Sequence, residues 1–105
     1  MSFDMNKMLR EAQRMQEELA KVQEEAATEV VEASAGGGMV TVKANGAGDV
    51  IEIKIDPKAI DPDDPELLED MVLAAVNEAL RSARSLMESK MSGLIPGDLG
   101  GLLGG

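Results

Sequence analysis

Residues 39–56, MVTVKANGAGDVIEIKID, contain two stretches in which apolar and polar side chains alternate, separated by a turn with two glycines. In the first stretch Val40, Val42 and Ala44 share one face, and in the second the three isoleucines do the same. Alternation with a period of two is typical of a strand with one buried face, and Asn-Gly is a favoured hairpin turn. The segment therefore predicts an antiparallel hairpin with one apolar side.

The residues just before the hairpin predict one more strand. Residues 28–34, TEVVEAS, are rich in Val and Thr, and the glycines at 36–38 separate them from the hairpin. The run AGGG at 35–38 could also be read as a phosphate-binding loop, but no Lys-Ser/Thr follows it and it leads into a strand. A turn is the favoured interpretation, which predicts a three-stranded antiparallel meander.

Upstream of the sheet, apolar residues recur at spacings of three and four through three heptads: Met5, Met8, Ala12, Met15, Leu19, Val22 and Ala26. This repeat predicts an amphipathic helix from about Ser2 or Asp4 to about Ala26. With Met5 as position a, every g position is acidic, every c position is basic, and the remaining flank carries no charge. A helix with three distinct faces favours an interaction element.

A second helix is predicted after the sheet. Asp64-Pro65-Glu66 combines an N-cap, a proline at the first helical position and an acid in the first turn. The helix is expected to end near Met91, before a glycine and a proline. The acids between residues 61 and 70 could be read as calcium ligands, but the calcium-loop spacing is missing and a capping turn is favoured. The helix has a wide apolar arc, which predicts burial against the sheet and a second chain: Leu68, Met71, Val72, Ala75, Val76, Ala79, Leu80, Ala83, Leu86 and Met87.

Together these elements predict an α+β fold in the order α-β-β-β-α. Residues 1–96 are expected to form a single domain, and residues 97–105 a flexible tail rich in Gly and Leu. A three-stranded sheet of this kind leaves an exposed edge and a long helix half covered. A two-fold homodimer that pairs apolar sheet faces or edges would cover both.

The composition excludes several classes of function. The 105 residues include no His, Cys, Tyr or Trp and one Phe, so the usual general base, thiol nucleophiles and base-stacking platforms are missing. An enzyme is not expected, nor is a cofactor, a metal or a small-molecule substrate. No run approaches the length of a membrane span and no secretory signal is visible, which favours a cytoplasmic protein without a membrane partner.

The formal net charge of −10 disfavours binding to polyanions when it is taken globally. Residues 1–16, however, carry three cations against two carboxylates. On the first helix Lys7, Arg10 and Arg14 form a ridge that Lys21 continues, and such a ridge can follow a phosphate backbone. The alternative is a ladder of surface salt bridges with the acidic g positions, which the spacing favours. Arg81, Arg84 and Lys90 form a smaller set on the second helix.

Three segments closely resemble the YbaB/EbfC nucleoid-associated proteins: NKMLREAQRMQEELAKVQEE at 6–25, EVVEASAGGGMVTVKANGAGDVIEIKIDP at 29–57 and DPELLEDMVLAAVNEALRSARSLMESKM at 64–91. The resemblance implies an α-β-β-β-α homodimer with a central sheet and projecting helices that resemble tweezers. It also implies non-enzymatic binding to double-stranded DNA at the bacterial nucleoid. Contacts made by cations on projecting helices are expected to be mostly backbone-directed and salt-dependent. The residues that it assigns to DNA are Lys7, Arg10, Arg14, Lys21, Arg81 and Arg84. A dimeric protein-interaction module with little DNA affinity is the alternative.

Overall fold

The computed structural model describes residues 4–94, and these form the predicted α-β-β-β-α order. The predicted tail at 97–105 lies outside the described residues. Helix α1 ends two residues later than expected, because the Glu29 N–H still bonds to the Ala26 carbonyl and the Thr28 hydroxyl donates to the Glu25 carbonyl. The elements are α1 (Met5–Thr28), β1 (Val30–Ala35), β2 (Val40–Asn45), β3 (Val50–Ile55), a 3₁₀ turn (Pro57–Ala59) and α2 (Pro65–Ser92).

Both predicted helix starts are confirmed by their caps. The Asp4 carboxylate accepts from the Lys7 N–H at 3.1 Å, and the Asp64 carboxylate accepts from the Leu67 N–H at 3.3 Å. Within the acidic segment the Asp61 carboxylate likewise accepts from the backbone N–H two residues on, at 2.9 Å. The structure thus uses these acids to satisfy backbone donors that would otherwise lack partners.

The three strands form one antiparallel sheet in the order β1-β2-β3, as the meander predicts. The β1–β2 turn is made by three glycines with positive φ, a conformation that other residues rarely adopt. The unbroken alternation expected for β3 is wrong at one point. Ala44 pairs with Val50 and Lys43 with Glu52, so Ile51 is an extra, bulged residue.

The core lies between α2 and the first two strands. Val40, Val42 and Ala44 on β2 are fully buried, and α2 meets them with three fully buried alanines at 75, 79 and 83. Because alanine side chains are short, the helix can lie close to the sheet. The core does not extend over β3, whose Ile53 remains exposed on the side facing α2.

Most of α1 projects from this body. Residues 5–21, here called the arm, are exposed except for Leu19, which is half-buried, and the helix is buried only further along, at Ala26. The protein is accordingly elongated, with extents of 75 × 29 × 16 Å. The heptad stripe therefore has an intramolecular partner only at its C-terminal end.

Candidate nucleic-acid interface

The arm presents its four candidate cations to solvent. Lys7, Arg10, Arg14 and Lys21 are all exposed, and at about 100° per residue they fall on one side of the helix, away from the apolar stripe. The salt-bridge ladder that the spacing favours is not formed. Within residues 4–94, none of these cations lies at ion-pair distance from a carboxylate. Their charged groups can therefore reach an external anion without first breaking an ion pair.

The two candidate cations on α2 differ from each other. Arg81 and Arg84 both lie on the side of α2 away from its buried alanines and are exposed. The Arg81 guanidinium donates twice to one Glu78 carboxylate oxygen, at 2.6 Å and 3.1 Å. Arg84 forms no salt bridge to any residue between 4 and 94.

The direction of the arm is set where α1 meets the sheet, at a contact here called the arm joint (Ala26, Glu29, Gly46 and Lys90). The Gly46 N–H donates to the carbonyls of Ala26, at 2.8 Å, and Glu29, at 3.1 Å. A Cβ on Gly46 would lie 2.5 Å from the Ala26 carbonyl oxygen, so only glycine allows this approach. Across the joint, the Lys90 ammonium at the end of α2 pairs with the Glu29 carboxylate at 2.7 Å.

The pairing at the joint changes the titration of Lys90. Its hydrogen bond to Glu29 raises the pKa of Lys90, partial desolvation opposes this, and the charges of Glu29 and Glu25 add to the rise. A raised lysine pKa stabilises the folded state fully below the unfolded value, near 10.4, and the contribution is lost as the pH rises through the folded pKa. The ion pair is thus in place at neutral pH. Lys90, which the sequence groups with Arg81 and Arg84, therefore forms part of the arm joint through its ion pair with Glu29.

A second feature is an apolar groove between α2 and β3. This feature, here called the groove, is lined by Ile55, Leu68, Glu69, Val72, Leu73 and Val76. Five of these six side chains are apolar, although the groove is open to solvent. Sequence patterning had identified the broad apolar arc of α2, but it did not identify the groove, because the arc alone does not tell which part the sheet covers.

Sequence reasoning also missed the arm joint. Gly46 belongs to an Asn-Gly turn, and the turn alone accounts for a glycine there, so nothing local signals the contact with α1.

No helix within the described span of 4–94 is long and apolar enough to cross a membrane.

A meander backed by one helix, with a second helix projecting as an arm that bears four exposed cations, defines a small α+β binding protein in which these cations suit a phosphate backbone. The chain belongs to the YbaB/EbfC DNA-binding family, whose model matches residues 1–99. The resemblance noted from sequence is confirmed.

Similar proteins agree with this assignment. A nucleoid-associated protein of Thermoanaerobacter pseudethanolicus is 50% identical over 95 residues, which cover 90% of this chain and 86% of that protein. A nucleoid-associated protein of Acetivibrio thermocellus is 50% identical over 101 residues, or 96% of this chain and 88% of that one. Among solved structures, an uncharacterized protein of Helicobacter pylori superposes with a TM-score of 0.80 at 20% identity, covering 90% of this chain and all of that one. This last likeness supports the fold alone.

Proposed function

We propose that this protein is a non-enzymatic, nucleoid-associated protein that binds double-stranded DNA as a homodimer in the bacterial cytoplasm. The observation that carries the proposal is the arm, whose four cations project into solvent without ion pairs in the described chain. Membership of a DNA-binding family and the names of the relatives point the same way. The residues proposed to contact DNA are Lys7, Arg10, Arg14, Lys21, Arg81 and Arg84.

The contacts are proposed to be mainly to phosphates. Lysine and arginine side chains on a helix can follow the backbone without reading base edges, and such contacts position a protein without specifying sequence. With one aromatic residue in the chain, stacking on bases contributes little. Binding should therefore tolerate many sequences and fall steeply with salt.

The groove is proposed as the dimer interface. Leu73 on α2 is 61% exposed within one chain, and Ile53 and Ile55 of β3 remain exposed beside it. Contiguous exposed apolar surface of this kind marks an interaction site. A second copy would cover it and bring two arms together, so that each dimer carries two cationic ridges on one assembly.

Net charge is the main objection, because the dimer carries twice the −10 of one chain. Six acids lie between residues 61 and 70, away from the arm, and the arm itself carries four cations against three carboxylates. Local potential, rather than net charge, governs what a phosphate meets at the arm. Repulsion from the body should nevertheless make binding detectable mainly at low ionic strength.

The test is fluorescence anisotropy of labelled DNA duplexes against salt concentration. We expect the variant Lys7→Gln/Arg10→Gln/Arg14→Gln to bind more weakly and to show a shallower salt dependence, by roughly 0.9 in log–log slope for each phosphate that the variant no longer neutralises. Glutamine keeps helix propensity close to that of lysine and arginine. Circular dichroism and sedimentation should confirm that the variant remains folded and keeps its oligomeric state.

The matched control is Lys43→Gln/Lys54→Gln/Lys58→Gln, which removes the same charge from the sheet and the 3₁₀ turn. Equal reductions in affinity for the two triple variants would show that the arm is not the DNA site. If the unmodified protein binds no duplex at low salt, the proposal fails and the protein-interaction alternative replaces it.

A further inference from the structure

The arm carries an apolar stripe that nothing in residues 4–94 covers. The exposed fractions are 62% for Met5, 52% for Met8 and 48% for Met15, and Leu9 at the edge of the stripe is 57% exposed. The stripe reaches the body of the protein only at its far end, where Ala26 is buried. The first turns of α1 thus present large apolar side chains to solvent on the side away from the cations proposed to bind DNA.

The stripe is made mainly of methionine. Its exposed large side chains within the arm are all Met, which is unbranched, flexible and polarizable. Such side chains adapt to partners of irregular shape and are common on surfaces that dock peptides. The stripe is therefore suited to receive a separate helix.

The two edges of the stripe differ in charge. Asp4, Glu11 and Glu18 line one edge, and the other edge is uncharged, with Leu9 and Gln16. None of the three carboxylates forms a salt bridge within the described part of the chain. These carboxylates, directly beside the apolar surface, can therefore accept hydrogen bonds from the cations of a partner.

Charge argues against a second arm as the occupant. In an antiparallel pair of heptad helices each g position faces the g position of its partner, so two arms would set Glu11 and Glu18 against other glutamates. In a parallel pair the acidic edge would face the uncharged edge, which supplies no attraction. A helix with cations beside its own apolar stripe complements the arm in either orientation.

We propose that the arm stripe docks an amphipathic helix of another protein, one whose apolar stripe is bordered by Lys or Arg. Apolar side chains would bury Met8 and Met15, and the bordering cations would pair with Glu11 and Glu18. The arm cations lie on the other side of α1, so the arm can hold a helix and DNA together. This interaction goes beyond the proposed DNA binding and does not depend on it.

The probe is a synthetic peptide of about 21 residues with Leu at positions a and d and Lys at positions e and g. Its like charges prevent self-pairing. In calorimetric titration of the full chain without DNA, we expect saturable binding of one peptide per chain. A peptide of identical composition with the leucines scrambled should not bind saturably. Equal binding of both peptides would show that binding depends only on the net charge of the peptide, and would overturn the proposal.

Two pairs of substitutions locate the site. Met8→Gln/Met15→Gln should weaken peptide binding at least about tenfold, because two apolar side chains are no longer available for burial. Glu11→Gln/Glu18→Gln should weaken it at least about threefold. Glu17→Gln/Glu24→Gln removes the same charge from the far side of the helix and should leave affinity within about twofold. Circular dichroism checks that each variant keeps its helix content.

Three further outcomes would overturn the proposal. The peptide does not bind, or the far-side glutamate variant weakens binding as much as the stripe-side variant. The third is a lower assembly mass for Met8→Gln/Met15→Gln in sedimentation, which would show that another copy of this chain occupies the stripe. Because these measurements contain no DNA, their failure is distinguishable from failure of the proposed DNA binding.

Discussion

Arg81 and Arg84 illustrate how one neighbouring residue alters what a cation can offer to DNA. The Arg81 guanidinium uses two of its donors on Glu78, while Arg84 forms no salt bridge to the rest of the described chain. Both members of the Arg81–Glu78 pair are exposed, so the pair contributes little to stability. Its main effect is to place a negative charge beside a proposed phosphate contact.

We expect Glu78→Gln to strengthen DNA binding by roughly two- to fivefold, because it frees Arg81 and removes a repulsive charge. Anisotropy at fixed low salt measures the change. The matched control is Glu66→Gln, which removes the same charge from the first turn of α2. If both variants strengthen binding equally, only net charge has changed and Arg81 does not contact DNA.

At the level of elements, the parts of the fold that follow from local patterning were predictable. The caps at Asp4 and Asp64, the period of three and four in α1 and the alternation in β2 each depend on neighbouring residues only. The bulge at Ile51 was not predictable, because Val50 and Ile51 are both apolar and either could have taken the paired position opposite Ala44.

The candidate site, like the fold, could be predicted from the sequence only in part. The arm cations could be named from the sequence because they share a helix face, but their use by DNA remains a prediction. The expected salt-bridge ladder is absent between residues 4 and 94 because exposed ion pairs gain little energy while two long side chains lose freedom. The role of Lys90 depends on Glu29, which is distant in sequence, and no local pattern reveals such a contact.

The arm joint leads to a prediction for Gly46→Ala. The new Cβ would lie 2.5 Å from the Ala26 carbonyl oxygen and 2.9 Å from its Cβ, so the base of α1 must shift. We expect the free energy of unfolding to fall by about 1 to 3 kcal/mol, as for other overpacked contacts. DNA affinity should also fall, because the arm leaves its position. Thermal unfolding and anisotropy measure the two effects.

Gly37→Ala serves as the control for that variant. Its Cβ would meet no atom within 4 Å, but φ is +67°, so the substitution is strained without touching the arm. It should lower stability and leave DNA affinity unchanged when both are measured well below the melting temperature. A parallel fall in affinity for the two variants would contradict a positioning role for the joint.

At the scale of the whole molecule, the proposal that the groove is the dimer interface predicts a substitution that dissociates the dimer. We expect Leu73→Glu to convert a dimer into a monomer of 11.1 kDa, because it places a charge in an apolar interface. DNA binding should weaken strongly, since two linked arms bind far better than one. Sedimentation equilibrium measures the mass, and anisotropy measures the binding.

Leu67→Glu is the matched control, because Leu67 is 54% exposed on the same helix but does not line the groove. It should keep both the assembly mass and the DNA affinity. A Leu73→Glu variant that remains dimeric would place the dimer interface on another face.

The alanine face of α2 links the stability of the proposed dimer to the concentration of the protein in a cell. With Ala75, Ala79 and Ala83 against Val40, Val42 and Ala44, one protomer fully buries only small side chains, while larger ones such as Ile55 and Leu73 stay exposed in the groove. A protomer that depends on its partner for burial has a stability tied to its own concentration. The number of chains synthesised would then set the fraction that is folded, so the DNA-binding form would rise more steeply than expression.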